Sequence, residues 1–262
     1  STMVPSRAGP PQNGPGAGSA AGERTGRWPC SQGPIIIWRG AARGVQILLV
    51  SKTYSAADRV YGEVKELILT GELPGGELLS EGEIAERCEV SRTPVREAFL
   101  RLSTEGWMRL YPKRGALIVP VGQREAREVI EARLLVEGHA VRALAARPGA
   151  AAELVAALTE NLAAHRAADS TDAEFSRLDA AFHQLIVAAG RNELLEDFFV
   201  SLGERHRRMT SASVDRDPAV AARILDDHAG LIAALVDGDA DAFDTLLATH
   251  LAGVHGQQEL DR

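Results

Sequence analysis

The stretch S80-E-G-E-I-A-E-R-C-E-V-S-R-T-P-V-R-E-A-F-L-R-L102 holds two helix starts separated by one short turn, and nothing else in the chain narrows the fold as much. Ser80 and Glu83 form a capping-box pair, each able to satisfy an orphan backbone donor of the other. Ile84, Ala85 and Cys88 then fall on the buried side of a short helix. Ser91 stands where it can cap the next helix, and Pro94 lies in that helix's first turn, where a missing N–H costs nothing. Val95, Ala98, Phe99 and Leu102 share one face. Upstream, Val60, Val64, Leu67 and Ile68 recur at helical spacing after Ser55 and stop at Gly71; E72-L-P-G-G-E77 reads as a turn. Downstream, M108-R-L-Y-P-K-R-G-A-L-I-V119 reads as two short strands around a P-K-R-G turn. Three helices and a hairpin within residues 52–120 predict a winged helix-turn-helix.

Charge supports a DNA partner for that unit, although the chain as a whole has a formal net charge of −7. Residues 121–262 carry 24 Asp and Glu against 14 Arg, so the acidity sits in the second half. Within residues 52–120 the signs separate along the chain, acids first and then Arg92, Arg96, Arg101, Arg109, Lys113 and Arg114. One face can therefore be strongly positive. A recognition helix meets base edges with its N-terminal residues, where arginine can contact guanine bidentately. Ser91, Arg92, Thr93 and Arg96 occupy those positions, and Lys113 and Arg114 suit a wing on the DNA backbone or minor groove.

The segment from Val60 to Leu102, with S91-R-T-P-V-R-E97 intact, resembles the GntR family of bacterial transcription regulators over residues 55–119. The resemblance implies DNA contacts at Ser91, Arg92, Thr93 and Arg96 and a wing tip at Arg114 and Gly115. Two positions depart from the family pattern. Gly82 stands where arginine is common, which removes a base or phosphate contact. Glu89 stands where glycine is usual, which strains the turn or repels a phosphate.

Residues 121–262 read as six helices without a strand, spanning roughly 123–147, 149–168, 171–189, 192–211, 217–237 and 239–257, broken at Pro148, Gly190, Pro218 and Gly238. The fold class is thus mostly α: an N-terminal winged helix-turn-helix and a C-terminal antiparallel helical bundle. Asn192 is placed to cap the fourth of these helices. Inside the bundle, D179-A-A-F-H183 sets a carboxylate and an imidazole one turn apart, while His228 and His250 lie on the last two helices. Three imidazoles and a carboxylate suit a divalent ion such as zinc, nickel or manganese. Spacing alone leaves a satisfied core pair or surface polarity equally open. Here the bundle resembles the FCD ligand-binding domain of the FadR-type branch, in its six-helix VanR-like form. That resemblance implies that Asp179, His183, His228 and His250 bind a metal and that Arg133 clamps an effector carboxylate. Otherwise Arg133 pairs with Glu137 one turn away. His139, His165 and His255 read as ordinary surface or core residues, and His206, within R205-H-R-R208, as part of a solvated basic patch in preference to an interior-facing histidine of the fourth helix.

The implied function is a dimeric repressor that binds a double-stranded operator and answers to a small carboxylate held at the metal. Two alternatives are a sensor whose signal is the ion itself and a metal-dependent hydrolase tethered to DNA. The hydrolase lacks an HExxH motif or a second carboxylate cluster to serve as base, so no enzyme is expected. Residues 1–51, rich in Gly, Pro, Ala and Ser, are expected to form a disordered tail. The two cysteines, Cys30 and Cys88, suggest a reduced cytoplasmic setting, and no apolar run is long enough to cross a membrane.

Overall fold

The computed structural model describes residues 54–255 except 146, 148, 171 and 172. The expected tail at 1–51, Cys30 and the break at Pro148 lie outside the described residues.

Helix α1 (Ala56–Leu69) starts on a capping box in which Ser55 and Asp58 serve each other's backbone. It is followed by β1 (Leu78–Leu79), α2 (Glu81–Arg87) and α3 (Arg92–Thr104). The hairpin of β2 (Met108–Tyr111) and β3 (Gly115–Ile118) closes the unit. Val60, Val64, Ile68, Ile84, Val95, Ala98, Phe99, Leu102 and Ile118 form one dry core beneath the two helix faces and the sheet. The capping box at Ser80 and Glu83 is present as expected. Ser91 sits at the N-cap of α3, but its side chain makes no capping bond.

The strand β1 was not legible in the sequence. It pairs antiparallel with β3, giving a three-stranded sheet in the order β1-β3-β2. Two residues carry no detectable period, so only tertiary pairing reveals them. The pairing depends on Gly115, whose φ is +112° and where a Cβ would fall 2.1 Å from the Leu79 carbonyl oxygen. No other residue fits that approach.

Six further helices follow: α4 (Gln123–Ala145), α5 (Ala150–Ala167), α6 (Ala173–Ala189), α7 (Glu193–Arg216), α8 (Ala219–Asp237) and α9 (Ala240–His255). The Asn192 side chain caps α7 by accepting from the Leu195 N–H. Helix α7 outruns its expected end by several residues: its Ser- and Asp-containing tail is a weak helix former but meets no breaker before Pro218. Leu158, Phe182, Ile186, Leu231, Phe243, Leu247 and Leu251 fill the bundle's main core. Among the described residues no helix is long and apolar enough to cross a membrane.

Helix α7 also lies against the N-terminal unit. Glu66 of α1 bonds Arg207 of α7 and Arg177 of α6, each at 2.6 Å, and Lys65 reaches Glu204 at 2.7 Å. Arg208 donates to the Val119 carbonyl at the base of the hairpin. The Trp107 ring lies beneath Lys65, Arg205 and Arg208.

Candidate functional site

Two sites emerge, one at each end of the molecule's charge distribution. On the N-terminal unit, Ser91, Arg92, Thr93 and Arg96 are all exposed along the first turns of α3, and Lys113 and Arg114 are exposed at the hairpin tip. Arg96 pairs with Glu81 at 2.7 Å, an exposed contact that solvent and a phosphate can readily exchange. Arg92 leans over Gly82, where a Cβ would stand 3.3 Å from its Nη2, so the missing side chain leaves Arg92 its space. Glu89 holds a left-handed φ of 53°, the strain anticipated from the missing glycine. Arg101, by contrast, is turned back onto Asp58 and the Tyr61 ring.

Inside the bundle, Asp179 and His183 of α6, His228 of α8 and His250 of α9 converge, with one ligand atom from each lying within 4.8 Å of the others. All four are at most 1% exposed. Their hydrogen bonds leave the inward-facing atoms free. Asp179 accepts from Thr210 at 2.8 Å and contacts His206 Nε2 at 2.9 Å, both through Oδ2, while Oδ1 has no hydrogen-bond partner. His183 places Nδ1 2.6 Å from Glu137 Oε2, and its Nε2 is unpartnered. The Glu137 carboxylate is itself held by Arg133 Nε at 2.9 Å. It therefore fixes the His183 tautomer with Nδ1–H donating and Nε2 open. His250 Nδ1 meets Asp227 at 3.0 Å in the same way.

Burial keeps His183 and His228 neutral, as metal ligands must be. His228 is pushed down to about 3 and His206 to about 4 by desolvation, and desolvation with the Arg133 charge holds His183 well below its usual value. Burial also acts to raise Asp179, but His206 and His228 outweigh it and hold the carboxyl well below the usual range. Burial lifts Glu137 to about 7 against the pull of Arg133. Asp179 Oδ1, His183 Nε2 and both His228 ring nitrogens are buried without a hydrogen-bond partner, Oδ1 and His228 Nε2 standing 3.4 Å apart, and this carboxylate-and-imidazole donor set fits a divalent cation.

The sequence-predicted ligands thus meet at one point, and Arg133 lies beside them, 1% exposed rather than on a solvated helix face. Three supporting residues were missed. Glu137 and Asp227 contact His183 and His250, and His206, expected in a solvated patch, is 2% exposed and 2.9 Å from Asp179. The signal for His206 was present: with Thr210, Ser213 and Val214 it forms a buried helical stripe that the flanking arginines masked. His165, also buried, packs on Phe175 with ring centroids 4.1 Å apart, and His139 is exposed.

A winged-helix unit joined to a helical bundle with a polar heart defines a DNA-binding transcription regulator. Residues 56–118 match the bacterial regulatory proteins of the gntR family, and residues 128–253 match the FCD domain. The chain belongs to the GntR family and carries an FCD domain. It is 33% identical over 201 residues to an HTH-type transcriptional regulator in an unstable DNA locus of Streptomyces ambofaciens, covering 74% of this chain and 81% of that protein. It is 29% identical to the gluconate operon transcriptional repressor of Bacillus licheniformis, covering 78% and 86%. It is 27% identical to the HTH-type transcriptional repressor RspR of Escherichia coli K12, covering 77% and 88%. These relatives are named as regulators, not enzymes. The solved structure of E. coli McbR/YncC shares the fold with a TM-score of 0.58 at 24% identity, covering 79% of this chain and 99% of that one.

Proposed function

We propose that the chain is a dimeric repressor whose operator binding is set by a small carboxylic acid bound at a divalent metal in the bundle. The observation that carries this reading is the convergence of Asp179, His183, His228 and His250, with Asp179, His183 and His250 each held from outside by a polar partner. Four protein ligands leave a six-coordinate ion room for a carboxylate, and the unpartnered Nη1 and Nη2 of Arg133 supply its counter-charge. Ser91, Arg92, Thr93, Arg96, Lys113 and Arg114 read the operator, and Gly115 shapes the wing by admitting β1. Two heads are used because one has a small footprint and paired half-sites supply specificity.

Helix α7 connects the two ends. Its His206 and Thr210 hold Asp179, while Glu204, Arg207 and Arg208 hold α1 and the hairpin base. An acid that enters this closed site displaces packed side chains, and α7 passes the change to the reading head. Arg92→Ala should abolish specific operator binding with the bundle's metal content unchanged. Protein prepared without chelator should carry one ion per chain, and His228→Ala should lose it. Retained metal in that variant would overturn the assignment.

A further inference from the structure

Helix α3 buries Val95, Ala98, Phe99 and Leu102. At about 100° per residue, the side turned away from that face carries Thr93, Glu97, Leu100 and Thr104, all exposed. Leu100 follows Thr93 at about 20° short of two full turns, so the two side chains point the same way. It is 61% exposed, and the other exposed large apolar residues of the N-terminal unit, Tyr54, Leu78, Leu110 and Tyr111, lie outside α3. Beyond Leu100 the polar side chains turn back from this surface. Thr104 Oγ1 donates to the Leu100 carbonyl at 2.9 Å, while Arg101 pairs with Asp58 at 2.7 Å and lies over the Tyr61 ring. Leu100 thus ends the outward row that begins with Thr93.

A lone exposed leucine is ordinary on most surfaces. Here it stands one turn beyond Arg96, on the side of the helix proposed to enter the major groove. Leu100 can neither donate nor accept a hydrogen bond. Against a base's amino or carbonyl group it would displace water and return no bond. The major groove offers one apolar feature, the C5 methyl of thymine. A rise of about 1.5 Å per residue puts Leu100 about 6 Å beyond Arg96, which is within about two base pairs. Exposed Arg92 and Arg96 on the same helix, with Lys113 and Arg114 on the hairpin, fit this face to a polyanion. A second copy meeting it symmetrically would set those arginines against themselves.

We infer that Leu100 reads a thymine, packing its side chain on the C5 methyl of a base within about two pairs of the one met by Arg96. This rests on the operator reading by α3 proposed above and adds a base that no arginine specifies. It also makes the orientation of that T·A pair matter, since the methyl belongs to one strand.

The test starts from a duplex that the full-length protein selects from a randomised library. Its thymines are replaced one at a time by deoxyuridine, which pairs identically and lacks only the methyl, and affinities are read by fluorescence anisotropy. At least one replacement should weaken binding by about fourfold, the worth of one buried methyl group. Leu100→Ala, which removes an exposed side chain and should fold normally, should lose the sensitivity at that thymine. Leu100→Met keeps the apolar reach and should retain it. If no thymine is methyl-sensitive, or if every sensitive one stays equally sensitive in Leu100→Ala, the inference is overturned. Leu100→Ala that dissociates the protein in sedimentation, with methyl sensitivity unchanged, would assign the face to a second copy instead. Sequence-specific binding retained by Arg92→Ala would remove α3 as the reading element, a failure separate from that of Leu100.

Discussion

Replacing Glu137 with glutamine separates two roles that a single buried carboxylate performs. In the native site Oε1 accepts from Arg133 and Oε2 faces His183 Nδ1 at 2.6 Å. Glutamine keeps the volume and one acceptor. With that oxygen turned to Arg133, its amide N–H groups face His183 Nδ1, forcing the hydrogen onto Nε2, which then points at the ion. Loss of an orienting partner to a ligating histidine costs about 10–100-fold in metal affinity, and the wrong tautomer places Glu137→Gln at the upper end of that range. Separately, Arg133 at 1% exposure loses its counter-charge. Removing one partner of a buried pair costs about 3–5 kcal/mol, which for a chain of this size lowers Tm by roughly 6–20 °C. Competition with a chromophoric chelator reads the first effect, and melting of the metal-free protein reads the second. Wild-type metal affinity in Glu137→Gln would refute the account of how His183 is oriented. An unchanged metal-free Tm would show that Arg133 needs no buried partner.

Other consequences follow from the same geometry. The metal-free protein should lose stability in mild acid. His183, His206 and His228 have folded pKa values below 6.5, so the unfolded chain takes up protons first and each contributes about 1.4 kcal/mol per pH unit as pH falls below about 6.5. Glu137, raised to about 7, works oppositely, its contribution being lost as pH rises from 4.5 through 7, and it offsets one histidine. Urea midpoints between pH 5 and 7 should therefore rise with pH, and a flat profile would contradict neutral buried imidazoles. Glu89→Gly should stabilise the N-terminal unit by up to about 1 kcal/mol, because relief of a left-handed φ outweighs glycine's entropy; a lower Tm would show that the Glu89 side chain matters more than the strain. Arg207→Ala should leave metal binding intact but weaken the acid's effect on operator affinity, read by fluorescence anisotropy, since it cuts the tie from α7 to Glu66. An unchanged acid response would place the coupling elsewhere.

Much of this architecture was written in local pattern. The Ser80–Glu83 capping box, Pro94, the face of Val95 to Leu102 and the P-K-R-G turn announce the N-terminal unit, and the bundle helices announce themselves by apolar period, with Gly190, Pro218 and Gly238 between the later ones. That Asp179 and His183 meet was legible because they share a helix face. What escaped was set by pairing across helices. Glu137 was legible only as the i, i+4 partner of Arg133, and the approach of α6 makes it a partner of His183 as well. His206 was hidden among arginines whose charges are taken up by Glu66, Glu125 and the Val119 carbonyl of other elements. The strand β1 exists because Gly115 lets it come close.

The most direct test of the central claim is a thermal-shift series with small carboxylic acids on metal-loaded protein, repeated after chelation. Binding to the native state raises Tm by mass action. Stabilisation by an acid only while the metal is present, and its loss in His228→Ala, is the predicted result. An acid that stabilises the chelated protein equally, or a Tm indifferent to both metal and acids, would contradict the assignment of Asp179, His183, His228 and His250 as the effector's metal site.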